Sequence, residues 1–201
     1  MKTGKTLTAV SEQGCQVWGS DISEAMLVQA RCNTAHPDTP IPLQQADYRD
    51  LPCHYQARFD AVVCLGSIGY MPDNNEFLRA FRSMHTVLRP NGILVLTVTL
   101  TDRQWEEKPR FKLVMNTPEA SRVFVMDYFE QKVSYHVLDI FHSQAENRLE
   151  TWEAELTILL RDQQEQLLKV AGFQQVDFYG GLDFSPYDKQ CSKSLITVAV
   201  K

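Results

Sequence analysis

The segment Val17-Trp18-Gly19-Ser20-Asp21-Ile22-Ser23-Glu24-Ala25-Met26-Leu27 passes from strand to helix within a few residues. A short apolar run ends in Asp21, and Ser23 has the residue type and position of a helix N-cap. A carboxylate at the carboxyl tip of a strand in an open α/β sheet faces the crevice where such sheets bind ligands. Ionised acceptors make the stronger hydrogen bonds, and a ribose diol offers two donors. The segment therefore points to a nucleoside-containing cofactor without saying which one.

Outward from it, strand and helix alternate. Cys15 to Gly19 reads as a strand, Ser23 to Cys32 as a helix and Ile41 to Ala46 as a short strand entered through prolines. Phe59 to Leu65 is apolar on both faces from Ala61 onward, the pattern of a central parallel strand. Asp73 and Glu76 stand at capping-box spacing. The helix they open carries Phe77, Leu78, Phe81, Met84, Val87 and Leu88 as one apolar stripe. Arg89-Pro90-Asn91-Gly92 ends it, and Ile93 to Leu100 is another buried strand. This alternation predicts a doubly wound, mostly parallel α/β sheet with helices on both faces.

After Thr101 the pattern becomes antiparallel. Val123–Phe129, Val133–Phe141 and Leu149–Leu159 read as three consecutive strands, with a polar turn at Gln144–Asn147. In the third, Trp152, Ala154, Leu156 and Ile158 share one face, and Thr151, Glu153, Glu155 and Thr157 the other. Arg161 to Ala171 is a helix closed by Gly172. Phe173–Tyr179 and Leu195–Val200 are closing strands. The expectation is a single domain over 1–201, with a strand-rich insertion at about 111–160 riding on the main sheet.

Composition narrows the class. The 201 residues carry a net charge of −5 with scattered Lys and Arg, against the basic stripe of a nucleic-acid-binding surface. No segment has the apolar length of a membrane span, and Met1 to Thr6 lacks the apolar core of a signal peptide. Five widely spaced cysteines without a Cys-x-x-Cys read as reduced thiols of a cytoplasmic protein. Thr3-Gly4-Lys5-Thr6 mimics the end of a phosphate loop without the upstream glycine that loop needs. His136 and His142 lack a third ligand and read as surface or packing residues. Tyr128, Tyr135 and Trp152 read as sheet packing.

Two further stretches bear on chemistry. Gln45-Ala46-Asp47-Tyr48 places a second acid beside the Asp21 crevice, where it can accept a hydrogen bond from an adenine amino group. Cys64-Leu65-Gly66-Ser67-Ile68-Gly69-Tyr70 runs from a strand into a loop whose glycines let backbone approach a ligand closely.

Together these residues resemble the class I S-adenosylmethionine-dependent methyltransferases, in their small-molecule branch. Asp21-Ile22-Ser23-x-x-Met26-Leu27 matches the family's acidic ribose-binding position and following helix. Asp47 matches the adenine-edge acid, and Phe59–Cys64 the fourth strand. Leu88-Arg89-Pro90-Asn91-Gly92-Ile93-Leu94 is similar to the family's L-x-P-G-G turn, and the last two strands to its closing hairpin. The resemblance implies S-adenosylmethionine as cofactor, held by Gly4, Asp21, Ile22, Met26, Asp47, Tyr48, Cys64, Leu65 and Gly66. It implies methyl transfer to a small-molecule nitrogen or oxygen, with Tyr70 and Tyr187 lining the acceptor pocket and no metal. It nominates no general base. The family's first strand and its acid-x-G-x-G-x-G loop have no counterpart, and Gly4 matches only the last glycine. The expectation is a chain that starts late and, alone, folds poorly and binds cofactor weakly. Two other readings stand beside it: a nicotinamide-dependent oxidoreductase, which Asp21 also suits, and a degenerate, non-catalytic binding module. The inserted strands offer an edge to which a second copy can pair.

Overall fold

The computed structural model of the chain describes residues 4–34, 40–56, 59–142 and 148–201. Its elements, in order, are α1 (Lys5–Ser11), β1 (Gly19–Asp21), α2 (Glu24–Asn33), β2 (Leu43–Gln45), α3 (Leu51–His54) and β3 (Phe59–Leu65). They continue with α4 (Asn74–Val87), β4 (Leu88–Thr97), α5 (Asp102–Glu107), β5 (Phe111–Asn116), β6 (Ala120–Tyr128), β7 (Lys132–Phe141) and β8 (Arg148–Thr157). The chain closes with α6 (Arg161–Ala171), β9 (Gln175–Tyr179) and β10 (Ile196–Val200).

Three sheets result, in the orders β1-β2, β3-β4-β10-β9 and β5-β6-β7-β8. β1 is parallel to β2 and β3 to β4, whereas β10 runs antiparallel to both its neighbours, as the closing hairpin predicts. The turn Arg89–Gly92 lies as an irregularity within β4, with Asn91 at a φ of 61°. A Cβ on Gly92 would sit 2.9 Å from the Arg89 carbonyl oxygen and 3.1 Å from that of Phe59. Any side chain there would force two strands apart.

The main core lies on one face of the four-stranded main sheet. Leu94 and Leu96 of β4 and Ala199 of β10 pack against Phe77, Phe81 and Met84 of α4 and Leu168 of α6. Full burial of each large side chain stabilises the fold by about 1.5–3 kcal/mol. α4 forms where its apolar stripe predicts, and the Asp73 carboxylate accepts the backbone N–H groups of Asn75 and Glu76 at 2.8 and 3.0 Å. Gly172 ends α6 in the left-handed region, at a φ of 110°.

Several expectations need correction. β1 is only three residues long and starts at Gly19, so Cys15, Gln16, Val17 and Trp18 lie outside the strand. Phe59–Leu65 is a strand, but among the described residues it is an edge, paired with β4 alone. Its alternate residues show the consequence: Cys64 is buried under α4, whereas Val63 and Leu65, on the other face, are 56% and 43% exposed. The inserted sheet has four strands where three were expected, because Phe111–Asn116 pairs with β6. Glu106 and Glu107 end helix α5, which starts behind a Thr101 capping box. The turn expected at Gln144–Asn147 lies outside the described residues.

The inserted sheet has a second core of its own: Met126, Val133, Tyr135, Val137 and Leu156, with Leu100 and Ile158 joining it to the main sheet. The loop after β3 presses directly on it, since a Cβ on Gly69 would meet the Leu156 Cβ and the Thr157 carbonyl oxygen at 3.4 Å.

The Asp73 cap gives the plainest test of this architecture. Asp73→Ala strands two amides of α4 and should destabilise the fold by about 1 kcal/mol, read as a lower urea midpoint with unchanged slope.

Candidate functional site

The site is built where β1, β2 and β3 end. Asp21 is the last residue of β1, and its Oδ1 accepts the Ser23 amide at 3.0 Å. Ser23 in turn caps α2 through the Met26 amide at 3.4 Å, as expected. This local turn fixes the Asp21 carboxylate at the strand tip. Ile22, between the two, is 63% exposed, an aliphatic side chain left open beside the carboxylate. The Ile22 carbonyl accepts from Gln45 Nε2 at 3.0 Å and the Asp21 carbonyl from the Ala46 amide at 3.2 Å. Those bonds bring the segment after β2, with Asp47 and Tyr48, alongside the Asp21 tip.

Asp47 is held by Arg49. Its Oδ1 accepts the Arg49 amide and Nε at 2.9 and 3.0 Å, and its Oδ2 accepts Nε at 2.9 Å and Nη2. Arg49 Nη1 reaches Glu76 of α4 at 2.6 Å. Burial alone would raise the Asp47 pKa, but the hydrogen bonds and charge of Arg49 outweigh it and hold the carboxyl below its ordinary value. Sequence reading missed this clamp. Its only trace is an arginine two residues after the acid, a spacing common in turns.

Tyr48 and the β3 loop complete the arrangement. The Tyr48 hydroxyl donates to the Ser67 carbonyl at 3.1 Å, while its ring packs on the main core. Cys64 is buried with its Sγ 3.3 Å from Ser67 Oγ, and burial pushes the thiol pKa up, so it stays protonated at neutral pH. Gly66 turns the chain with a φ of 66°, and a Cβ there would meet nothing within 4 Å. The loop thus opens onto free space beside exposed Leu65. Tyr70 follows in a 3-10 turn (Ile68–Tyr70) and is 56% exposed.

These contacts also orient the two sheets. Past the strand tips, Tyr48 touches Ser67; at their starts, Trp18 meets the Phe59 ring edge-on at 5.5 Å and the Tyr55 hydroxyl donates to the Gly19 carbonyl at 3.3 Å. β1 and β3 therefore run the same way, joined near their ends, with no ladder between them among the described residues. Asp21, Ile22, Met26, Asp47, Tyr48, Cys64, Leu65 and Gly66 all fall at or just beyond the carboxyl ends of these strands or on the first turn of α2.

Two expected site residues are placed differently. Gly4 is in the left-handed region and buried against α2, where a Cβ would lie 2.9 Å from Thr34 Cγ2 and 3.3 Å from Ala30. Thr34 caps the carboxyl end of α2. At about 1.5 Å per residue, the length of the helix separates Gly4 from the Asp21 tip. Tyr187 uses its hydroxyl within the fold, donating to Asp102 Oδ2 at 2.7 Å and accepting the Asp102 amide at 3.0 Å. It ties the β9–β10 connection to the start of α5. His136 bonds Asp127 and Glu153, and His142 bonds Ser121, so both are surface-network residues. No His, Cys, Asp or Glu cluster among the described residues is arranged to hold a metal.

The arrangement has recognisable relatives. A family model described as "Methyltransferase domain" matches residues 2–92. The chain is 27% identical over 186 residues to "Putative methyltransferase YqeM" of Bacillus subtilis (strain 168), covering 86% of this chain and 70% of that protein. It is 26% identical to the glycine/sarcosine N-methyltransferase of Aphanothece halophytica, covering 89% of this chain and 65% of that protein. The chain thus spans about two thirds of the length of these two relatives. In fold it is similar to the CcbJ methyltransferase of Streptomyces caelestis, with a TM-score of 0.82 at 17% identity over 98% of this chain and 79% of that one. It is similar also to the S-adenosylmethionine-bound amino pentose methyltransferase CalS10 of Micromonospora echinaspora, with a TM-score of 0.75 at 21% identity over 99% and 79%. Tip carboxylate, open glycine loop and closing hairpin agree with these likenesses: the first 92 residues are similar to the methyltransferase-domain family, and the chain has the fold of solved S-adenosylmethionine-dependent methyltransferases.

Proposed function

We propose that the protein transfers a methyl group from S-adenosylmethionine to a small-molecule acceptor by in-line displacement. The observation that carries this reading is the fixed Asp21 carboxylate at the tip of β1 beside the exposed Ile22 side chain. The residues fit the cofactor's nucleoside. An anionic acceptor suits a ribose diol, the aliphatic Ile22 an adenine face, and the open space at Gly66 a ligand lying against backbone. When bound, the cofactor supplies an activated methyl carbon on a sulfonium. The chain's own task is then placement, and well-oriented reactants can lower a barrier by several kcal/mol, up to about 7–11.

Within that reading Asp21 binds the ribose and Ile22 packs on the base, with Met26 behind them on α2. Asp47 reads the adenine edge in competition with Arg49, which already occupies both its oxygens. Tyr48 and Cys64 position the loop of Leu65 and Gly66, and Tyr70 stands at its mouth. Tyr187 acts on the acceptor side by holding α5 in place. Four exposed free cysteines suit a reducing cytoplasm. Among the described residues no helix is long and apolar enough to cross a membrane. We place a second copy at the β5 edge, where Phe111 and Leu113 are 68% and 62% exposed; light scattering should then give twice the chain mass.

The edge of β3, unpaired among the described residues, bears on activity. Unpaired strand edges leave backbone groups without partners, and the gap between β1 and β3 has parallel neighbours on both sides. We infer that the complete enzyme carries one more parallel strand there, followed by a glycine loop. A protein extended at the amino terminus by about twenty to forty residues, enough for a strand and loop, should bind S-adenosylmethionine more tightly than residues 1–201 alone. Equal calorimetric affinities would show the gap to be harmless.

Substitution at the two acids separates their roles. In the extended protein, Asp21→Ala should weaken S-adenosylmethionine binding at least about tenfold, since a charge-assisted hydrogen bond contributes about 1.5–3 kcal/mol. An unchanged dissociation constant, or preferential binding of NADH, would overturn the assignment. Asp47→Asn should weaken binding less and act on stability. The folded-state pKa of Asp47 lies below its reference value of 3.8, so its stabilisation is present above that value and lost as pH falls through the folded one. The variant should therefore be less stable than wild type at about pH 7, with the difference closing as pH falls through the folded-state pKa, by urea titration.

A further inference from the structure

We propose that Tyr135 contacts the methyl acceptor and receives from it an uncharged amine carried on a skeleton with no carboxylate beside the nitrogen. The inference rests on the methyl-transfer reading and names its substrate class.

Between the β3 loop and the inserted sheet lies a cavity of about 20 Å³, lined by Gly66 and Gly69, Thr99 and Leu100, and Tyr135 and Leu156, among others. That is room for one water-sized group, so it admits the end of an acceptor and leaves the remainder outside. Tyr135 is 3% exposed, and its hydroxyl has no hydrogen-bond partner among the described residues. Its ring is well seated, edge-on to Phe124 at 5.2 Å and flanked across the strands by Met126 and Ala154. A phenylalanine would keep all those contacts. The buried hydroxyl instead costs about 1–3 kcal/mol while unsatisfied, which points to a partner from outside the chain. Tyr128, on the neighbouring strand β6 and packed against the same core, shows the contrast: its hydroxyl donates to the Pro109 carbonyl at 3.0 Å.

The lining selects the partner's charge. It consists of glycine, threonine, tyrosine and aliphatic side chains, with no acid, base or cation. A carboxylate entering there would lose its water with nothing in exchange. An ammonium would be driven by the same desolvation to its neutral form, which is the nucleophilic one. Burial holds the Tyr135 phenol well above its ordinary pKa, so it remains neutral and hydrogen-bonds without removing a proton. By accepting an amine N–H at its oxygen, it leaves the nitrogen lone pair free. That pair forms the new N–CH₃ bond, the S–CH₃ bonding pair stays on sulfur as a thioether, and the product ammonium gives its proton to solvent. A hydroxyl acceptor would need a base that this lining lacks.

The full-length protein with S-adenosylmethionine is offered glucosamine and glycine as probe acceptors, and S-adenosylhomocysteine formation is measured. Transfer to glucosamine should exceed transfer to glycine, and Tyr135→Phe should lower kcat/KM for glucosamine about tenfold or more, the effect of one hydrogen bond near 1.4 kcal/mol. The same variant should keep its S-adenosylmethionine affinity, and its Tm should be unchanged or higher. Tyr128→Phe should lower Tm and leave the kinetics alone. Unaltered kinetics or a lowered Tm in Tyr135→Phe, preference for glycine, or transfer to neither probe by a protein that binds S-adenosylmethionine would each overturn the inference while sparing the methyl-transfer reading. Failure to bind S-adenosylmethionine at all would overturn both.

Discussion

The hydrogen bond from the Tyr48 hydroxyl to the Ser67 carbonyl fixes where the β1 tip stands relative to the β3 loop. Sheet ladders normally set such distances, but among the described residues β1-β2 and β3-β4-β10-β9 share no ladder. The load falls on a few side chains instead: Tyr48 at the tips, Trp18 against Phe59 and Tyr55 to Gly19 at the starts, and the Asp47–Arg49–Glu76 chain reaching α4. Each such bond contributes only about 0.5–1.5 kcal/mol net, somewhat more where a charge is involved. A cofactor that touches both Asp21 and Gly66 would bridge the same gap and bind the assembled form in preference to the separated one. Binding of such a cofactor and ordering of the two sheets would then be one equilibrium.

The inserted sheet solves a different problem. Strand β7 buries every second residue, Val133, Tyr135, Val137 and Asp139, against the rest of the molecule. At one end of that row the buried Asp139 is paired with Arg122 and accepts the Trp152 indole N–H at 3.2 Å. At the other, Val133 and Leu156 meet the β3 loop, with Gly69 close enough that a methyl group there would touch Leu156. The sheet is thus pinned at a polar end and an apolar end, and the cavity falls between the apolar end and the strand tips.

What the sequence showed follows from which elements bury a face. α4 and α6 were legible because their apolar stripes pack on the main sheet, and Asp73, Ser23 and Gly172 mark helix ends by local chemistry alone. β5 was missed because Phe111–Asn116 buries no residue completely, so it has no alternation to read; its strand character comes only from pairing with β6. Cys15, Gln16, Val17 and Trp18 failed for the converse reason: an apolar run is not a strand without a partner, and β1 pairs only where β2 reaches it. In the site, Asp21 was legible from its place between strand and cap. Arg49 was not, because a salt bridge two residues apart depends on the turn. Tyr135 was not either, because an unsatisfied hydroxyl and a packed ring look the same in a sequence.

The groups gathered around the β3 tip have one electrostatic property in common. Burial raises the Cys64 thiol and the Tyr48 and Tyr135 phenols, and Arg49 holds Asp47 ionised, so all four keep one protonation state across neutral pH. None of them can act as a proton shuttle there, because general acid–base work needs a pKa near the operating pH. A reaction at this tip therefore draws no proton transfer from these four residues. Attack by a neutral amine on an activated methyl carbon meets that condition, since its surplus proton leaves afterwards to water. Hydride or hydroxyl chemistry, which must move a proton with the bond, does not meet it through these four residues.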